Sequence, residues 1–225
     1  METAIEFYEE RRTEIEFYYT TLIEIAKPNS PIRTGDNHRF VRILKSNFLL
    51  MLYNLVESCV RKGFESIYEA VKDSGEPYAK ISVEIGGVWS DYEISKAHNS
   101  NANKQTYGQR VREIIGQVIS NQPLIITRDA LDISGNLDAR KIRDLLKNHD
   151  IGFSESGRGD KTWIFEVKKK RNALAHGDES FDEAARDLSI ADLEKIKCEV
   201  LDFIKDVLDG MKNYYDQKLY IRQNQ

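Results

Sequence analysis

Hydrophobic residues recur every three or four positions near both ends of the chain, and this spacing predicts amphipathic helices. The first predicted helix covers about 3–26 and ends at the turn 28–31, which contains two prolines. A second predicted helix covers residues from about 36 or 37 to 72. Its centre, 48–53, is apolar on nearly every face, which indicates the central helix of a bundle.

Two further helices are predicted in the last third of the chain. One begins near Asp160 or Thr162 and ends at Gly177, a natural C-terminal stop. The other follows the capping sequence 189–192 and carries apolar residues at helical spacing to about Met211. The tail after about Tyr215 ends in polar residues, and we expect it to fray.

The middle of the chain, about 76–159, has a different character, because glycines, asparagines and short apolar segments replace the long periodic patterns. Its predicted elements are a short strand at 81–85, a loop at 95–105, and helices at 109–119 and 136–147. The sequence therefore predicts an all-α, mostly helical protein. Four long helices form a bundle in a single domain of residues 1–225, with a mixed, partly irregular insertion between the second and third helices.

Composition and charge limit the kind of protein this is. Of the 225 residues, 40% are hydrophobic and 31% are charged, which is typical of a soluble globular protein. The net charge of -4 means that any nucleic-acid binding depends on local basic patches. Cys59 and Cys198 lack metal-ligand spacing and are expected to be reduced thiols. With neither an apolar signal core at the start nor an apolar run of membrane-spanning length, we expect a cytoplasmic protein with no membrane contact.

Candidate chemistry is concentrated in the third long helix, at 166–177. Six Lys/Arg and two Asp/Glu lie between Arg158 and Arg171, and Asn172 and His176 follow. An arginine can bind phosphate through its planar donor fork, and a histidine can transfer a proton near neutral pH. The structural alternative is a solvated basic face that ends in a histidine beside the last helix carbonyls.

This segment, with its sequence Arg-Asn-x-Leu-x-His-Gly, resembles the R-x(4–6)-H motif of the HEPN superfamily of ribonucleases, in particular the small bacterial HEPN-like nucleases. The resemblance implies an HEPN-like helical bundle and a metal-independent endoribonuclease that cleaves single-stranded RNA, as a toxin or antiviral defence effector. It also implies a homodimer, because the superfamily builds its cleft between two protomers. An antitoxin or defence-system protein is a possible further partner. The alternatives are a non-catalytic HEPN-like module that acts with a partner protein, and a DNA-binding regulator that uses the insertion.

The chemistry assigns a role to each motif residue. RNA carries its own nucleophile, the 2′-hydroxyl, so we expect His176 to transfer protons, Arg171 to stabilise the phosphorane charge, and Asn172 to position the phosphate or the 2′-hydroxyl. No metal-ligand motif is present in the sequence, and no cofactor is expected. Positions five apart on a helix point about 140° apart, so the helix end is distorted or two chains complete one cleft.

Two further groups of residues are candidates for the site. Glu57 and Asn54 interrupt the apolar surface of the second helix, and either orient Arg171 or form polar contacts of their own. The expected RNA-binding residues are basic and lie in the motif helix or the insertion: Lys168, Lys169, Lys170, Arg158, Arg140, Lys141, Arg143 and Lys147. The insertion is therefore predicted to contact RNA or a partner.

Overall fold

The computed structural model describes residues 1–30, 36–99, 104–131, 133, 135–155 and 162–223. This part of the chain is helical, with isolated bridges but no strand, which confirms the all-α prediction. The α-helices are α1 (Glu2–Ala26), α2 (Asn37–Ser74), α3 (Val83–Asn99), α4 (Lys104–Ile119), α5 (Ala139–Asn148), α6 (Thr162–His176) and α7 (Ile190–Asp216).

Helix α2 is the centre of a bundle and packs against α1, α6 and α7. Its residues Phe48, Leu52 and Val56 are fully buried, as expected for a segment that is apolar on every side. Gly63 allows α7 to approach closely, since a Cβ there would lie 2.3 Å from the sulfur of Met211. By length and composition α2 also qualifies as a membrane-spanning helix, contrary to our expectation, but half of that window is buried inside the protein.

The insertion contains more helix than the sequence pattern predicted. Helix α3 begins at Val83, so the strand predicted at 81–85 is wrong. The side chain of Ser82 accepts a hydrogen bond from the backbone N–H of Ile85, which starts the helix. Ile81, Ile85 and Trp89 are buried at four-residue steps, as in a helix. Because four is an even number, the same spacing within residues 81–85 also fits the two-residue alternation of a strand.

The loop predicted at 95–105 is also mostly wrong, because α3 continues to Asn99 and α4 begins at Lys104. Residues 100–103 of that loop lie outside the described part of the chain. The predicted helix at 136–147 is present as α5, and the side chain of Asp138 caps it by accepting from the backbone N–H of Lys141.

A buried histidine attaches the insertion to the central helix. His149 follows α5, is 2% exposed, and lies 2.7 Å through Nε2 from the hydroxyl of Tyr68 on α2. Its Nδ1 is 2.7 Å from the carbonyl oxygen of Leu145, which can only accept. Nδ1 therefore carries the hydrogen, and Nε2 accepts from Tyr68. Burial lowers the pKa of His149 from 6.5 to about 4, so the ring is neutral.

The C-terminal tail is held against the insertion, so the expected fraying is wrong for its described residues. The carbonyl oxygen of Tyr220 accepts from the backbone N–H of Ser82 at 2.9 Å, and the N–H of Arg222 donates to Lys80 at 2.8 Å. Tyr220 is buried against the core. Backbone pairing and burial offset the entropy of ordering this segment. Before α7, Ser189 and Asp192 form the predicted capping box.

Candidate functional site

The sequence of α6 fixes which of its faces is buried and where the helix ends. Ile164, Val167 and Leu174 are buried. After His176, Gly177 adopts a left-handed conformation with φ of 77°. The backbone N–H of Asp178 then donates to the carbonyl of Ala173 at 2.9 Å, and that of Gly177 to Leu174 at 3.4 Å. This Schellman arrangement ends the helix and leaves the His176 side chain exposed.

Arg171 lies between the central helix and the insertion. Its guanidinium carbon is 4.9 Å from the ring centroid of Tyr53 on α2, within the range of a cation–π contact. Nη1 donates to the carbonyl oxygen of Gly135 at 3.3 Å and to the side-chain oxygen of Asn172 at 3.0 Å. The side chain is half-buried. These contacts fix the position of the guanidinium.

A short loop before α5 supplies the insertion's part of this arrangement. The side-chain amide of Asn172 donates to the side-chain oxygen of Asn136 at 3.1 Å. The backbone N–H of Leu137 donates to the Tyr53 hydroxyl at 3.2 Å. Gly135 has φ of 65°, and a Cβ there would lie 3.0 Å from Nη1 of Arg171, so this position favours glycine on both counts. The loop 135–138 therefore contacts two of the three motif residues.

An ion pair holds the same loop to α6. Lys168 donates from Nζ to the carboxylate of Asp138, the residue that caps α5. Partial burial raises the pKa of Asp138, but the hydrogen bonds from Lys168 and from the backbone N–H of Lys141 outweigh it and hold the pKa below its usual value. Asp138 is therefore a carboxylate near neutral pH, and it joins α5 to the motif helix.

Arg171 and His176 form no hydrogen bond with each other among the described residues. The polar contacts of Arg171 are with Gly135 and Asn172, and His176 is exposed at the helix end without a hydrogen bond to any described residue. Helix α6 extends through both positions. The angular separation that the sequence indicated is therefore retained in the folded chain.

A family model described as MAE_28990-like HEPN matches residues 2–220. The chain belongs to this HEPN family. The match extends across the insertion as well as the four long helices. Neither a search of curated proteins nor a search of solved structures finds a match.

The residues that contact Arg171 differ from those proposed from the sequence. Glu57 forms its ion pair with Arg61 at 2.5 Å, four residues along the same helix. Asn54 is exposed and lines a shallow groove beside α1. Neither residue has a hydrogen bond or ion pair with Arg171 among the described residues; Arg171 contacts Tyr53, one residue before Asn54, and Gly135. Glu57 contacts the hydroxyl of Tyr53, so it lies one residue away from the arginine. Tyr53 is buried on the side of α2 that faces the insertion, where its hydroxyl accepts from the backbone N–H of Leu137.

Sequence reasoning missed Tyr53, Gly135 and Asn136. Tyr53 stands in an apolar run, where an aromatic residue is more often a core residue than part of a site. Gly135-Asn136, a dipeptide typical of turns, was the available signal for a loop. Nothing in the sequence indicated that this loop packs against Arg171 and Asn172.

The expected RNA-binding residues differ in how free their charges are. Three of them are paired with carboxylates: Lys168 with Asp138, Lys170 with Glu179 at 2.9 Å, and Arg143 with Glu155 at 2.7 Å. Lys141 is half-buried and lines a cavity between α3, α4 and α5. Arg158 lies outside the described residues. The side chains of Lys169, Arg140 and Lys147 are exposed, and none has an ion pair with any residue that the structure describes.

Proposed function

We propose that this HEPN protein is a metal-independent endoribonuclease that acts on single-stranded RNA. The observation that carries the proposal is the fixed guanidinium of Arg171. Tyr53 and Gly135 hold it at the surface, while Nε and Nη2 have no hydrogen-bond partner among the described residues. A guanidinium held in place with unpaired donors can bind a phosphate without losing side-chain entropy.

The proposed reaction uses the 2′-hydroxyl of RNA as the nucleophile. His176 takes the proton from the 2′-oxygen as that oxygen attacks phosphorus. The bond from phosphorus to the 5′-oxygen breaks, and that oxygen takes a proton from solvent water as it leaves. Arg171 stabilises the charge on the non-bridging oxygens, and Asn172 orients the phosphate. The products are a 2′,3′-cyclic phosphate and a 5′-hydroxyl.

The proposed active cleft lies between two copies of the chain. On a regular helix, positions about 140° apart direct Arg171 and His176 away from each other, so one copy does not favour a shared phosphate. A two-fold axis beside α6 brings Arg171 of one protomer towards His176 of the other, which completes two equivalent clefts. The exposure of His176 supports this arrangement, since its ring is accessible to a second copy and to substrate.

The proposed role is that of a cytoplasmic toxin or antiviral effector, controlled by an antitoxin or defence-system protein. The second candidate is a non-catalytic HEPN-like module that acts with a partner. The contacts of Nη1 with Gly135 and Asn172 favour this alternative, because they occupy donors that a catalytic arginine would direct at a phosphate. Activity distinguishes the two candidates.

The experiment compares cleavage of one sequence as single-stranded RNA and as DNA, both with EDTA present. We expect cleavage of RNA only. Arg171→Ala should lose about 10²–10³-fold in rate, and His176→Ala about 10²–10⁴-fold. Arg12→Ala and His38→Ala are the matched controls, because Arg12 and His38 are exposed residues outside the motif. Full activity in both motif variants would favour the binding module.

A further inference from the structure

The solvent-facing side of α6 carries an aromatic ring in line with the motif. Counting from Phe165, the offsets of Lys169, Asn172 and His176 are four, seven and eleven residues, which places all four within about 60° of arc on a helix. Phe165, Lys169 and His176 are exposed, and Asn172 is half-buried. We call these four residues the α6 stripe.

Phe165 is unusual among the large side chains of this helix because the core does not cover it. Its ring is 49% exposed, whereas Ile164 and Val167, which face the core, are 1% exposed. The Nζ of Lys168 lies 5.0 Å from the ring centroid. Proteins that bind single-stranded nucleic acids combine aromatic rings, on which bases stack, with basic side chains that follow the phosphate backbone.

The charge of the α6 stripe also favours a nucleic acid. Lys168 and Lys170 are paired with carboxylates, but the ammonium of Lys169 has no ion pair with any described residue. No acidic residue of α6 falls within the arc of the stripe. The unpaired ammonium of Lys169 therefore makes this stripe favourable for contact with a polyanion.

Resting on the proposed function, we propose that Phe165 stacks an unpaired base of the RNA substrate while Lys169 contacts the phosphate backbone between that base and the cleaved bond. Phe165 and His176 are separated by about 16 Å along the helix axis. That length corresponds to at most about five nucleotides at the 3.4 Å spacing of stacked bases. The substrate is therefore RNA that is unpaired on one side of the cleavage site, because a base inside a duplex cannot stack on the ring.

The test measures binding of a short single-stranded RNA that contains the fluorescent base 2-aminopurine at each position in turn. The protein is the full chain carrying His176→Ala, so that the RNA stays intact. In this background Phe165→Ala should weaken binding roughly 5- to 100-fold and remove the quenching of 2-aminopurine at one position. Phe165→Trp should retain both. Phe17→Ala is the matched control, because Phe17 is an exposed ring on α1.

Salt dependence separates the two contacts. Phe165→Ala should weaken binding by the same factor at every salt concentration, since stacking releases no counterion. Lys169→Ala should reduce the slope of log affinity against log salt by about 0.7, the value for one phosphate contact on a single strand. A smaller slope of log affinity against log salt for Phe165→Ala would contradict the proposal that Phe165 stacks a base.

Three outcomes would overturn the proposal. The first is unchanged RNA affinity in Phe165→Ala while the wild-type protein cleaves RNA, which removes the inference and leaves the proposed function intact. The second is a change in oligomeric mass for Phe165→Ala with unchanged RNA affinity per site, which assigns the stripe to a second copy. The third is a wild-type protein that neither binds nor cleaves RNA, in which case the proposed function fails first.

Discussion

Replacing His149 tests how the insertion is attached to the central helix. The neutral ring donates to Leu145 and accepts from Tyr68, and burial lowers its pKa from 6.5 to about 4. Acid therefore protonates this histidine in the unfolded chain before it does so in the folded chain. The contribution of the neutral His149 ring to the free energy of unfolding is fully present above pH 6.5 and is lost as pH falls from 6.5 towards 4.

The size of the effect follows from the two pKa values. With 6.5 for the unfolded chain and about 4 for the folded chain, the free energy of unfolding should fall by about 2 kcal/mol between pH 7 and pH 5 through this group alone. His149→Gln removes the titrating ring and keeps an oxygen that can accept from Tyr68. The variant should be less stable at pH 7, because Gln does not pack against Phe64 as the ring does.

The assay is urea denaturation of both proteins at pH 7 and pH 5, followed by circular dichroism at one protein concentration, since association changes apparent stability. We expect the loss of stability on acidification to be about 2 kcal/mol smaller in His149→Gln than in the wild-type protein. An equal loss in the two proteins would show that His149 is not a buried neutral group, and the description of this attachment would be wrong.

Three further predictions concern the site and its assembly. Gly135→Ala should lower RNA cleavage by displacing the guanidinium of Arg171, and should cost about 1 kcal/mol of unfolding free energy at its positive φ; cleavage at the wild-type rate would show that this loop does not position the arginine. Charge reversal at Arg140 and Lys147 should weaken RNA binding more at low than at high salt, and unchanged affinity at low salt would remove the insertion from the RNA surface. Sedimentation at micromolar concentration should show a dimer, and a lone monomer would contradict the shared cleft.

The long helices could be predicted because each has a strong local signal. The buried residues of α1, such as Tyr8, Ile15 and Leu22, lie at helical spacing, and Ser189 and Asp192 carry their capping information in four residues. The prediction of a strand at the start of α3 was wrong because the pattern of five residues does not distinguish a strand from one turn of helix. The fate of the C-terminal tail depends on backbone pairing with Lys80 and Ser82, which are far away in the chain.

The candidate site was predictable only in its chemistry. Arg171, Asn172 and His176 were identifiable as residues with suitable functional groups at a suitable spacing. Their surroundings were not, because Tyr53 and the loop 135–138 meet the motif through packing between segments more than 30 residues apart in the chain. Which lysines remain unpaired, such as Lys169, likewise depends on where Asp138 and Glu179 lie in space.

The most direct test of the central claim is the chemical nature of the ends left on cleaved RNA. A single-stranded RNA would be incubated with the wild-type protein in EDTA, and the products would be analysed by mass spectrometry beside the same RNA with one 2′-deoxynucleotide at the cleavage position. We predict a 2′,3′-cyclic phosphate and a 5′-hydroxyl from the first RNA, and no cleavage at that position in the second. A 5′-phosphate product, or equal cleavage of the deoxy-substituted RNA, would contradict attack by the 2′-hydroxyl.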